Sequence, residues 1–191
     1  MNPASGSSSS TARAALLRYG PPAQVFHWVT AVLVVAAFTT GLGGPEHRVY
    51  LSERDAERQL HETLGVCVFV LTLLRVAWRM ISPPPRVPGA GPAWMEPAGR
   101  WMQRLLYLLL VLVPLTAISG AWLEGHELLV WPFGALPSPI ATQRAAGQWL
   151  SELHPWLGDA IVWLAGFHAA AALFHHFVLR DRVLRAMLPW S

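Results

Sequence analysis

Four stretches of this chain are long and apolar enough to cross a lipid bilayer, near residues 24–43, 61–81, 103–123 and 156–179. A spanning helix needs about 20 apolar residues. Each stretch must be helical, because backbone N–H and C=O groups find no partners in hydrocarbon. Composition agrees. Charged residues make up 13% of the 191 residues and hydrophobic ones 53%, whereas a water-soluble domain carries about 25% charged residues. The expected fold is all-α, an integral membrane four-helix bundle occupying residues 21–187, with a Ser-rich, flexible cytoplasmic tail over residues 1–20. The tail has no apolar core ahead of a cleavage site, so it does not read as a signal peptide. Pro114, in mid-span, is expected to kink the third helix.

Charge sets the expected orientation. All 14 basic residues are arginine. Ten (Arg13, Arg18, Arg75, Arg79, Arg86, Arg100, Arg104, Arg180, Arg182 and Arg185) fall on the side of the chain ends, and four (Arg48, Arg54, Arg58 and Arg144) on the other. The positive-inside rule then places both termini in the cytoplasm. No basic, aromatic-interleaved patch indicates nucleic acid. The lone Cys67 has no partner for a disulfide, and the absence of C-x-x-C-H excludes covalent c-type haem. Cys67 reads as a small buried hydrophobe. The segment from Leu123 to Glu152 reads as a long outer loop with aromatic anchors, and Ser82–Pro92 as a Pro-rich inner connector.

The histidines carry the chemistry. His154 and His168 are fourteen residues apart, on nearly one helix face and about 21 Å apart along the axis. His27 enters its span from the inner side and His61 enters its own from the outer side. Depth therefore matches His27 with His168, and His61 with His154. Ionisable residues inside a membrane are costly and usually functional. Two neutral imidazoles facing each other suit the axial positions of an iron porphyrin. Gly65 and Gly158 each follow a histidine by four residues, leaving room for a flat ring one turn along. Other readings stay open at this level: interhelical hydrogen bonding by each histidine, a haem-free four-helix transporter or scaffold, or a transition-metal transporter. The last would want carboxylates beside the imidazoles, and the inner pair has none within a turn. His47 and His126 read as solvated loop residues.

Three segments, "RYGPPAQVFHWVTAVLV", "LHETLGVCVFVLTLLRVAWR" and "WLAGFHAAAALFHHFVLRDRVLRAMLP", resemble the prokaryotic cytochrome b561 family over roughly residues 18–187. The resemblance implies two haem b groups with iron ligands at His27, His61, His154 and His168. It also implies electron transfer in the bacterial inner membrane between ubiquinone and a periplasmic donor, superoxide above all. Similar cytochromes serve as membrane subunits that link a peripheral dehydrogenase or hydrogenase to the quinone pool. That is the alternative, with a protein partner; the short external connections favour the self-contained oxidoreductase. Arg100 and Gln103 stand where relatives can carry histidines, so those histidines are not axial.

Around this set, Arg75 lies fourteen residues past His61 on nearly the same face, and is expected at the inner haem's propionates with Arg79 as a helper. His175 reads either as a group reaching the inner propionates or a quinone, or as a plain interfacial residue, and His176 as the latter. Trp122, Trp131, Trp149 and Trp156 gather near the outer face, as a quinone pocket wall or as an aromatic belt. Two axial histidines per iron block the binding of small molecules at the metal, so reaction at the porphyrin edge is expected.

Overall fold

The computed structural model describes residues 18–41, 50, 54–85, 87 and 89–189. Among them are four helices long and apolar enough to cross a membrane: α1 (Pro21–Thr39), α2 (Asp55–Ile81), α3 (Met95–Glu124) and α4 (Arg144–Phe177). The 19 residues of α1 are about 28 Å long, close to the thickness of the hydrocarbon core. The 34 residues of α4 are about 51 Å long, so this helix overhangs. α1 packs on α2, α4 packs along α3, and α2 joins the two layers by its contact with α3; α1 and α4 hardly touch. Where the layers meet, Val68, Leu109, Leu110 and Ile161 form a small buried core. Most other large apolar side chains are exposed, as lipid-facing residues are.

Two expectations change here. The fourth helix begins at Arg144, not near 156, because the turns from Arg144 to Leu153 are helical but too polar to register as part of an apolar span. The expected outer loop is correspondingly built. It contains a hairpin, β1 (Leu128–Val130) against β2 (Gly134–Leu136), with Leu129 opposite Ala135. Gly134 takes φ +78° at the turn, a region that glycine adopts without strain. Pro114 is buried inside α3, which continues as one α-helix from Met95 to Glu124. Cys67 is exposed on the surface of α2, which corrects the expectation of burial: in a bilayer a small apolar side chain is already solvated.

The tightest contact joins α3 and α4. A Cβ at Gly147 would sit 2.8 Å from the Glu124 nitrogen and 3.0 Å from the Gly120 carbonyl oxygen; one at Gly120 would sit 3.1 Å from the Ser151 nitrogen. Small residues at such a crossing let the two backbones approach closely. Ser151 also bonds to the Glu124 carboxylate across the same crossing.

At the opposite end the chain closes on itself. Of the expected tail, residues 1–17 lie outside the described residues. Arg18 donates to the Leu188 carbonyl at 2.8 Å, the Tyr19 N–H to Ala186, the Gln24 amide to Ala186 and Leu188, and the Trp28 indole to Met187 at 3.0 Å. A 3₁₀ turn over Arg185–Met187 thus clips onto the start of α1, and both ends of the described chain share one face. Asp181 anchors the clip. Its carboxylate accepts from His175 Nδ1 at 2.6 Å, Val183 N–H at 3.0 Å and Ala90 N–H at 3.1 Å. Burial pushes the Asp181 carboxyl up, but these bonds outweigh it and hold the group below its usual 3.8. The stabilisation is therefore complete above pH 3.8 and is lost as pH falls through the lower folded value. Asp181→Asn is expected to speed hydrogen exchange at the Ala90 and Val183 amides roughly tenfold, leaving helix-core amides unchanged.

Candidate haem-binding site

The helices bring the four depth-matched histidines into two facing pairs. His27 of α1 and His168 of α4 have ring centres 6.4 Å apart. His61 of α2 and His154 of α4 have ring centres 6.1 Å apart. A metal–imidazole bond is about 2 Å and a ring centre lies roughly 1 Å behind its nitrogen, so two imidazoles on opposite sides of one metal have ring centres about 6 Å apart. Both pairs match that separation. Among the described residues, no three His, Cys, Asp or Glu side chains converge as a metal cage. A metal held between two facing imidazoles takes its remaining donors from a non-protein ligand, which a porphyrin supplies.

The pair beneath the hairpin is oriented by backbone. His61 Nδ1–H donates to the Ala37 carbonyl of α1, and His154 Nδ1–H to the Val113 carbonyl of α3, each at 2.9 Å. The bond on Nδ1 fixes the tautomer and leaves the Nε2 lone pair for a metal. Pro114, one residue past Val113, and Pro155, one past His154, both lie inside their helices. The pair nearer the chain ends has a different neighbour: Arg75 Nη2 lies 3.3 Å from His27 Nδ1. The Arg75 and Arg79 guanidiniums both stand over the Tyr107 ring, at 5.1 and 5.6 Å. Beside them Tyr19 is half-buried, and this desolvation pushes its phenol above the usual 10.0 although both arginines oppose the shift.

A Cβ built at Gly65 or Gly158 meets no heavy atom within 4 Å, so open space lies one turn along from His61 and His154. His175 bonds to Asp181 in the clip that joins the chain ends. Trp131, Trp149 and Trp156 are largely exposed. His126 is not simply solvated, as expected from sequence: it stacks on Tyr50 with ring centres 3.5 Å apart. Burial lowers its pKa from 6.5; Glu124 opposes the shift, and Arg58 and Arg144 add to it. His47 lies outside the described residues.

Sequence reading missed how the hairpin is held over the His61–His154 pair. Glu62, next to His61, accepts the Leu129 N–H, and the Thr63 hydroxyl accepts the Trp131 N–H at 3.0 Å. Arg58 pairs with Asp55 at 3.0 Å and donates to the Glu127 carbonyl at 3.3 Å. The signal was present as polar residues within "RQLHET", but their partners lie about seventy positions away.

Four membrane-length helices, with imidazoles facing one another at two depths, put the chain in the class of helical membrane cytochromes. The family model of prokaryotic cytochrome b561 matches residues 18–190. Cytochrome b561 homolog 2 of Escherichia coli K12 is 31% identical over 175 residues, covering 91% of this chain and 93% of that one. Cytochrome b562 of Cereibacter sphaeroides is 34% identical, covering 85% and 89%. The probable superoxide oxidase CybB of Yersinia pestis is 30% identical, covering 85% and 91%. The chain belongs to the prokaryotic cytochrome b561 family, and with it to the multi-pass, haem b-binding proteins of the inner membrane.

Proposed function

We propose that this cytochrome holds two haem b groups and carries electrons from superoxide, at its hairpin face, to ubiquinone in the inner membrane. The two facing imidazole pairs carry the reading, since each has the separation that axial ligation of one metal requires. His27 and His168 hold the haem nearer the chain ends; His61 and His154 hold the one beneath the hairpin. His154 and His168 lie about 21 Å apart on one rigid helix, which fixes the distance between the two sites. Bound haem supplies a reversible one-electron iron couple; the protein sets position, access and electrostatics.

The side chains divide the remaining work. The Ala37 and Val113 carbonyls keep His61 and His154 with Nε2 directed away from the bond on Nδ1. Gly65 and Gly158 leave the space a flat ring needs. Arg75 provides cationic donors for propionates. A neutral His27 that accepts from Arg75 at Nδ1 carries its proton on Nε2, so ligation through Nε2 requires the guanidinium to turn to an anion instead. The arginine excess on the face of the chain ends supports cytoplasmic termini and a periplasmic hairpin. The family's probable superoxide oxidase supports the donor. The overall reaction balances when two superoxide anions each lose one electron as dioxygen, and the quinone gains two electrons and two protons.

Reduced-minus-oxidised spectra and a pyridine haemochrome assay on purified protein should give two haem b per chain; one per chain, or none, rejects the two-site reading. Stopped-flow mixing with superoxide should reduce the haem rapidly, with reoxidation on adding ubiquinone. Failure of superoxide alone would redirect the donor assignment and leave the sites standing. Gly158→Leu provides a sharper check on the slot. Its side chain meets open space in the protein, so helical content should persist, while haem at the outer site falls at least about tenfold in affinity as bulk fills the ring's place.

A further inference from the structure

The face of the chain ends carries a polar recess that adjoins the His27–His168 pair, since Tyr107 in its lining also meets Arg75. Val76 and Arg79 of α2, with Arg100, Gln103, Arg104 and Tyr107 of α3, line a cavity of about 390 Å³. Three guanidiniums, an amide and a phenol surround it, and its lining contains no carboxylate. Arg100 has one acidic neighbour, Glu96, one turn earlier on its own helix. Among the described residues the ion pairs include neither Arg79 nor Arg104; their guanidiniums stand over the rings of Tyr107 and Trp101 at 5.6 and 5.0 Å. The depth is that of a lipid headgroup. Arg79 lies in the last turn of α2, and Arg100 and Arg104 lie in the first turns of α3, just before its apolar run. On the apolar side of these arginines the surface is open, with Leu73 48%, Leu105 41% and Leu108 53% exposed.

We propose that this recess binds the phosphate headgroup of an anionic membrane lipid, with the acyl chains lying along Leu73, Val76, Leu105 and Leu108. Guanidiniums pair with phosphate oxygens through two parallel bonds each, and several together favour a net negative headgroup. Basic pockets between helices at the cytoplasmic surface suit such lipids. Arginines stacked on aromatic rings are partly pre-ordered, so less side-chain entropy is lost on binding. The site sits between the ends of α2 and α3, where a bound lipid would splint the turn joining them.

The test uses the haem-loaded full chain in detergent, as wild type and as the Arg100→Gln/Arg104→Gln variant. These two arginines contact neither imidazole pair, so haem content should be equal in both proteins. Phosphatidylglycerol should bind wild type at least about tenfold more tightly than the double variant, and should raise the unfolding temperature of wild type alone. Phosphatidylcholine and millimolar inorganic phosphate should do neither. Equal stabilisation by phosphatidylcholine, or equal retention of phosphatidylglycerol by the variant, overturns the proposal. So does stabilisation by inorganic phosphate alone, which would make this a free-anion site. Loss of one haem in the double variant also overturns it, by assigning the recess to propionates.

Discussion

Replacing His154 by alanine is expected to remove the haem beneath the hairpin and leave the other in place, halving the haem-to-protein ratio. Replacing His168 should remove the other one and leave the first. The asymmetry follows from the geometry of α4. This helix supplies one member to each pair, so each substitution breaks one facing contact, His61–His154 at 6.1 Å or His27–His168 at 6.4 Å, and does not touch the other. The two losses should also differ in side effects. His154 is bonded to Val113 of α3 at 2.9 Å, so its removal loses that interhelical bond and costs about 1 kcal/mol beyond the lost haem, the Val113 carbonyl keeping the Thr116 hydroxyl at 2.8 Å. His168 makes no such interhelical backbone bond among the described residues, and its loss should cost mainly the stabilisation that ligand binding confers. Redox titration of each variant should show one remaining midpoint. Equal loss of both haems in each variant would separate the imidazole pairs from the cofactor count and remove the basis for two independent sites.

What the sequence could and could not disclose follows from which signals are local. Hydropathy is a property of consecutive residues, so the four spans are readable. The depth of a histidine follows from its position in a span, so His27 with His168, and His61 with His154, could be matched before any coordinates. The start of α4 was not readable by the same measure: "RAAGQWLSEL" is helical but too polar to register as a span. Contacts between distant residues were also hidden. Nothing in Gly120 or Gly147 alone distinguishes a helix crossing from an ordinary glycine, and Asp181 looks like a loop acid until His175, Val183 and Ala90 converge on it. Cys67 failed for another reason. The rule that apolar residues are buried belongs to water; in lipid, exposure costs such a side chain nothing.

The Gly120–Gly147 crossing bears directly on the His61–His154 pair, and Gly147→Val tests that coupling. A Cβ at residue 147 would fall 2.7 Å from Glu124 Cγ, 2.8 Å from the Glu124 nitrogen and 3.0 Å from the Gly120 carbonyl oxygen. The first contact is side chain and can yield; the other two are backbone within a helix and cannot, so α3 and α4 must separate. Overpacking of this kind costs about 3 kcal/mol or more, and the valine's two γ-methyls enlarge the clash. His154 lies two turns beyond Gly147 on the same helix, and its bond to Val113 spans the same pair of helices. Separation therefore stretches that bond and shifts His154 relative to His61. His168 lies a further fourteen residues away and should be displaced less. The expected result is a lower unfolding temperature together with selective loss of the haem beneath the hairpin, seen as a missing midpoint in redox titration. Gly99→Ala is the control. A Cβ there meets no atom within 4 Å, so the substitution should stabilise α3 by about 1 kcal/mol with both midpoints retained. A Gly147→Val protein that kept both haems at unchanged potentials would mean that the crossing does not set the position of His154.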